Sequence, residues 1–154
     1  IFSKDDLQMS DMVKFLTEAR KEFKLAPLED ICSNVKMNGY ENYIIDDQKT
    51  FEIGLKCPPT CRASGYYNFL LNNSKFRSKY QLISNGEKIK IYHTTSKVSD
   101  IFAFIAGSYP YEFAPEIDYD AQFEKCIIDP LNRVFAVIGM QTLNRNLIYA
   151  NSLF

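Results

Sequence analysis

Residues 56–97 read KCPPTCRASGYYNFLLNNSKFRSKYQLISNGEKIKIYHTTSK, and within them a helix start, a turn and an alternating strand follow in that order. Pro58 and Pro59 break whatever precedes them, because proline lacks a backbone N–H and has a fixed φ. Thr60 then occupies a capping position ahead of Ala63, Tyr66, Tyr67, Phe69, Leu70 and Leu71, so a helix is expected over 60–73. The polar run Asn72-Asn73-Ser74 closes it. Asn85-Gly86 is a turn signal, and Lys88-Ile89-Lys90-Ile91-Tyr92 alternates with period two, as a half-buried strand with its lysines on one face would.

Working outward, the short apolar run Ile101 to Ala106 suits a second strand paired with the first across the 94–100 loop. Pro110 and Pro115 punctuate the next loop. Asp118 or Asp120 is then placed to cap a long amphipathic segment with Phe123, Ile127, Ile128, Leu131, Val134, Phe135 and Ile138, bent at Pro130 and closed by Gly139. A tail follows over 142–154. Upstream, Met9, Met12, Val13, Leu16, Ala19 and Phe23 recur at helical spacing from Ser3 to Lys24, with Ser3 and Asp6 in the pattern of a capping box. Leu28 to Cys32 has room for one helical turn, and 40–55 reads as irregular with short strands. The expected fold is α+β and mainly helical: amino-terminal helix, central helix, small antiparallel sheet and long carboxy-terminal helix, in one domain over 1–154.

Charge singles out the same opening stretch. It holds eight bases (Lys56, Arg62, Lys75, Arg77, Lys79, Lys88, Lys90, Lys97) and one acid, Glu87, a formal +7 inside a chain whose net charge is −1. Tyr66, Tyr67, Phe69, Phe76, Tyr80 and Tyr92 lie among the bases, a mixture suited to phosphates and sugar edges, although a solvated surface beside a core has the same composition. No apolar run is long enough to span a bilayer and no signal pattern opens the chain, so a soluble protein is expected. The first residue is Ile1 rather than Met, as in a fragment or trimmed chain. Cys32, Cys57, Cys61 and Cys126 are too scattered for a disulfide framework, which favours a reducing compartment. Cys57 and Cys61 with His93 would make an unusual zinc set, so ordinary thiols are expected.

Catalytic groups are sparse: one histidine, no glycine-rich phosphate loop and no serine motif. Asp118-Tyr119-Asp120 has the carboxylate spacing of a metal-dependent phosphoryl-transfer pair, but it precedes a helix, where acids satisfy free N–H groups and the helix dipole. Binding is left as the expected role, through lysines that track a polyanionic backbone by charge.

The order of local patterns, Lys56-Cys57-Pro58, Arg62, Tyr67-Asn68, Gly86-Glu87-Lys88-Ile89-Lys90-Ile91-Tyr92, Ile117-Asp118-Tyr119, Glu124-Lys125 and Pro130-Leu131, resembles the carboxy-terminal thumb domain of the family B replicative DNA polymerases of T4-like phages. Phe15 to Lys24 and Asn38-Gly39-Tyr40 to Tyr43 extend the resemblance over nearly the whole chain. It implies a DNA-binding fragment without catalytic residues that grips the sugar-phosphate backbone of primer-template duplex and supports DNA synthesis by a parent nucleotidyltransferase during bacteriophage DNA replication. By the resemblance, Lys56, Lys88 and Lys125 fall where primer-strand contacts are expected, with Arg62 as a further candidate, and the charged face of the 88–92 strand adds Lys90. The implied partners are the remaining polymerase domains and, through a tail whose Ser152, Leu153 and Phe154 resemble the start of a clamp-tethering peptide, a sliding clamp. No cofactor is implied in this piece, divalent metal belonging to the palm domain, and the implied location is the cytoplasm of an infected bacterial host. Asp129 departs from the family pattern, which often has lysine there; one helical turn after Lys125, it is placed to pair with that lysine instead. The competing expectations are a protein-interaction module and a single-strand nucleic-acid binder that stacks bases on Tyr66, Tyr67 and Tyr92.

Overall fold

A computed structural model of the chain describes residues 4–40, 44–47, 50–53, 57–137 and 139, with side chains described outside 4–9, 44–47 and 50–53. The chain forms two compact units, one from residues 1–27 with 119–154 and one from 28–118. The fold is α+β, with helices at both ends of the described chain and a small antiparallel sheet and a central helix between them.

In the first unit, α1 spans Lys4–Leu25. Its Leu16 is fully buried with Phe123, Ile128 and Phe135, and Met12, Ala19, Phe23, Ile127 and Leu131 pack around them. Residues 12, 16, 19 and 23 lie three or four apart, the spacing that puts side chains on one helical face. Phe23 and Phe123 meet edge to face at 5.4 Å between ring centroids. The expected capping box lies outside what is described, Ser3 as a residue and Asp6 as a side chain.

The expected long carboxy-terminal helix is built in three segments, two α-helical with a wider turn between them: α3 Tyr119–Phe123, a π-helical turn Glu124–Ile128, and α4 Asp129–Val137. Pro130 explains the wide turn. It has no N–H for the carbonyl four residues back, and its ring needs space against that carbonyl. The chain widens just before it, with the Asp129 N–H reaching the Glu124 carbonyl, and helical winding resumes. Gly139 follows α4 with φ +78°, the left-handed conformation expected after a helix end.

The second unit begins with a 3-10 turn, Leu28–Asp30, where one helical turn was expected. Strands β1 Ser33–Lys36, β4 Lys88–His93 and β5 Ile101–Ile105 form an antiparallel sheet in the order β1-β4-β5, and β2 Ile44–Asp47 pairs with β3 Thr50–Ile53 as a separate hairpin. The β4–β5 pairing was expected. The β1 edge was not, because Ser33-Asn34-Val35-Lys36 offers one apolar residue and no alternation, and the strand is held by the register of its neighbour. Gly86, at φ +90°, turns the chain into β4 while its N–H bonds the Met37 carbonyl at 2.8 Å.

Helix α2 spans Pro59–Asn72 and packs against β5. Pro58 holds the cap position, Pro59 the first turn, and no side chain caps the helix, so Thr60 does not have the expected capping role. Proline at the first helical position is pre-set in φ and removes one of the N–H groups that a cap would satisfy. The core of this unit is aromatic: Tyr67, Tyr92, Phe102 and Phe104 are fully buried. Tyr92 contacts Phe102 and Phe104 at 5.4 and 6.2 Å, and Tyr66 and Tyr67 each contact Phe102 at 5.9 Å.

Candidate binding surface

Strand β4 carries Lys88, Lys90 and Tyr92 on one face, since successive side chains of a strand alternate. That face changes character along the strand: Lys88 is exposed, Lys90 half-buried and Tyr92 buried. Across the sheet, Lys88 lies opposite the exposed Lys36, Lys90 lies between the exposed Asn34 and the buried Phe104, and Tyr92 lies opposite the buried Phe102. The two lysines thus continue into the aromatic core rather than forming an open basic stripe. Lys90 is committed internally, its Nζ donating to the Glu29 carbonyl at 2.7 Å. Lys88 extends into solvent with no carboxylate partner among the described residues.

The other expected contact residues are distributed as follows. Arg62, in the first turns of α2, pairs with Asp100 at 3.1 Å, while its Nε is buried with no hydrogen-bond partner. Lys125 belongs to the first unit and pairs with Asp129 at 3.3 Å, the pairing that the four-residue spacing suggested. Lys56 and the tail residues Ser152, Leu153 and Phe154 lie outside the described residues.

Tyr66, Tyr67 and Tyr92 retain 4% exposure or less, so their rings build the core and offer no face for base stacking. Their hydroxyls anchor the surrounding loops: Tyr66 Oη meets Ser96 Oγ at 2.8 Å, Tyr67 Oη donates to the Gln81 carbonyl at 2.8 Å, and Tyr92 Oη donates to the Pro115 carbonyl at 2.7 Å. Burial pushes the Tyr67 phenol up to about 12 and raises Tyr92 further, so both stay neutral hydrogen-bond donors.

Besides Lys88 and Lys97, a group of basic and aromatic residues reaches solvent in the turn after α2. Lys75 and Arg77 are exposed, with the Lys75 ammonium 5.9 Å from the Phe76 ring centroid. Lys79 and the Tyr80 hydroxyl both bind the Glu112 carboxylate. These two donors hold Glu112 well below the ordinary carboxylate range, at about 2, and Glu112 in turn raises Lys79. Tyr80 also meets Phe113 edge to face at 5.7 Å. Beside Glu112, Tyr111 is 83% exposed and packs edge to face on Tyr109 at 4.8 Å. Sequence reasoning missed Tyr109, Tyr111 and Glu112, which lie about thirty positions from Lys79 and Tyr80, and only the fold brings them to the same turn.

Cys57 and Cys61 do not form a metal constellation with His93. Cys61 Sγ lies 3.6 and 3.9 Å from the Asn38 and Gly39 carbonyls, Cys57 Sγ 3.5 Å from the Pro58 carbonyl, and all four cysteines are free thiols. Burial pushes the Cys57 thiol up, against the opposing pull of Arg62. No group of three or more His, Cys, Asp or Glu placed to hold a metal occurs among the described residues. Asp120 instead pairs with Arg20, whose Nε donates to it at 3.2 Å, and the Asp118 N–H bonds the His93 carbonyl at 2.8 Å. Among the described residues, no helix is long and apolar enough to cross a membrane.

No family model and no curated protein matches this chain.

Proposed function

We propose that the chain is a binding module that meets its ligand through the basic and aromatic surface within residues 56–97, and that the ligand is a nucleic-acid backbone. One observation carries this reading: Lys75, Arg77, Lys88 and Lys97 are exposed without a carboxylate partner among the described residues, while the basic residues nearer the core, Arg62 and Lys90, are neutralised or hydrogen-bonded internally. Unneutralised lysines and arginines on a near-neutral chain are the groups that phosphates would engage, with release of counterions. The resemblance of motif order gives this reading its specific form, a thumb domain that holds primer-template duplex for a family B polymerase.

A protein partner is the second reading, favoured by the exposed Tyr111 ring beside the Lys79, Tyr80 and Glu112 cluster, since solvent-facing tyrosine next to fixed charges is a common anchor of protein interfaces. The two readings separate by titration of duplex, single-stranded DNA and RNA at two salt concentrations, with the unaltered chain, a Lys75→Ala, Arg77→Ala, Lys88→Ala triple variant and Tyr111→Ser. The backbone reading expects salt-sensitive binding that the triple variant weakens by more than tenfold. Binding unchanged in the triple variant rejects it.

A further inference from the structure

Resting on the nucleic-acid reading above, we propose that Lys36 of β1, which no motif of the sequence marks, completes the site with Lys88, and that the two lysines together take one phosphodiester segment. Lys36 is directly opposite Lys88 in the β1–β4 ladder. The pattern of backbone bonds fixes which kind of opposition this is. The next pair along, Met37 and Glu87, is bonded from the Met37 N–H to the Glu87 carbonyl at 2.9 Å, and on the other side Lys88 accepts from the Ala106 N–H at 3.2 Å. Bonded and non-bonded pairs alternate along an antiparallel ladder, so Lys36 and Lys88 form a non-hydrogen-bonded pair, the close kind, with Cα atoms about 4.5 Å apart and side chains nearest to each other.

Two like charges in that position repel, and sequences normally place an acid or a neutral residue there. Both lysines are exposed, and neither has a carboxylate partner among the described residues. The nearest row of the same face gives no relief: it holds Asn34 and Lys90, and Lys90 is itself cationic and bound to a neutral carbonyl oxygen. Glu29, whose carbonyl receives Lys90, directs its carboxylate oxygen to the Gly107 N–H at 3.1 Å. A local rule broken at the rim of a well-ordered core is characteristic of a functional position. The missing partner is an anion supplied from outside. A nucleic-acid strand fits better than an acidic side chain, because its charges recur at 3.4 Å per nucleotide of helix rise and let two close ammonium groups be neutralised at once.

The experiment uses the full chain and fluorescein-labelled duplex and single-stranded DNA, with Lys36→Ala, Lys36→Glu, Lys88→Ala and, as a control of equal charge change in the other unit, Lys14→Glu. Lys36→Ala is expected to weaken DNA binding about threefold to tenfold and to lower the log–log salt slope on duplex by about 0.9, the value for one phosphate contact. Lys36→Glu is expected to weaken it more than tenfold and yet to raise the melting temperature of the free chain, since a carboxylate opposite Lys88 replaces repulsion with attraction. Loss of binding with gain of stability distinguishes a ligand site from a structural role. Binding that survives Lys36→Glu while Lys88→Ala reduces it overturns the inference and leaves the proposed function standing. Equal loss in Lys14→Glu shows a general charge effect and overturns it too. A lowered melting temperature in Lys36→Glu removes the repulsion on which the site is argued. No binding of any DNA by the unaltered chain rejects both the inference and the function it rests on.

Discussion

Asn68 forms a two-way bridge between α2 and the returning chain, and its removal gives a sharp test of how the basic turn is held in place. Its Nδ2 donates to the Ile83 carbonyl at 2.9 Å, and its Oδ1 accepts from the Ile83 N–H at 2.8 Å. The side chain thereby imitates one rung of a sheet ladder. Asn68 and Ile83 are both buried, at 5% and 2% exposure, so water does not replace either bond. Asn68→Ala strands one backbone donor and one acceptor, each costing about 1–3 kcal/mol when left unpaired in the interior. Slight movement of the loop recovers part of this, and the expected net loss is about 2–4 kcal/mol. Asn68→Asp keeps the acceptor but turns a carboxylate oxygen toward the Ile83 carbonyl and buries its charge, so near neutral pH it should cost at least as much as Asn68→Ala. Urea unfolding measures the global cost, and amide exchange locates it: a local loss of about 2 kcal/mol speeds exchange of the Ile83 amide roughly 30-fold. Lys75 to Tyr80 lie between the two anchors of this bridge, so the same variant should also loosen the basic turn. A cost below about 1 kcal/mol, or an Ile83 amide that exchanges as before, would refute the reasoning.

Three further outcomes follow from the same structure. Glu112 is a depressed carboxylate, so its contribution to the free energy of folding is present above its unfolded value near 4.5 and is lost as pH falls toward about 2; its carboxyl resonance should titrate near 2, and a midpoint at or above 4 contradicts the Lys79 and Tyr80 bonds. Tyr92→Phe leaves the Pro115 carbonyl without its 2.7 Å donor and should destabilise by about 1–2 kcal/mol in urea titrations, whereas a neutral effect would show that this hydroxyl bond is not formed in solution. Asp129→Asn removes the acid that pairs with Lys125, and in the nucleic-acid reading it should tighten duplex binding about twofold to fivefold at low salt, an effect that disappears in the Lys125→Ala background.

The parts of the fold that were legible in the sequence are those whose signal is local. Proline-fixed φ at Pro58 and Pro59 located α2 to within a residue of its start, strict alternation located β4, and three-to-four spacing located α1. Strand β1 was illegible because an edge strand is specified by the partner that binds it, and a single Val35 carries no period. The π-helical turn needed a judgement about how the chain yields to Pro130, which composition does not give. For the binding surface, charge was legible and its availability was not. Arg62, Lys79, Lys90 and Lys125 count equally with Lys88 in a sum of charges, yet each is engaged by a group 100, 112, 29 or 129 in the chain. Tyrosines 66, 67 and 92 read as interleaved with bases because the strand and helix periods place core and surface residues next to one another in sequence.

That separation between charge present and charge available changes what the +7 segment means. Bases that face a carboxylate within the fold contribute little to steering a polyanion, because the pair is nearly neutral beyond a Debye length, about 8 Å at physiological ionic strength. The segment is therefore weaker as a whole than its formal charge and stronger where no acid answers the base among the described residues: at Lys97 and, more so, at two places, the 75–77 turn with two such bases and the Lys88 end of β4 beside Lys36. A ligand that tracked total charge would respond equally to removal of any base. A ligand held at those two places responds steeply to Lys75, Arg77 and Lys88 and barely to Arg62 or Lys90, whose substitution should instead appear as lost stability, since Arg62→Ala frees Asp100 and Lys90→Ala leaves the Glu29 carbonyl unpaired. Comparing binding and unfolding across those five alanine variants sorts the two groups, and a binding loss that simply follows charge removed, without regard to position, rejects the division.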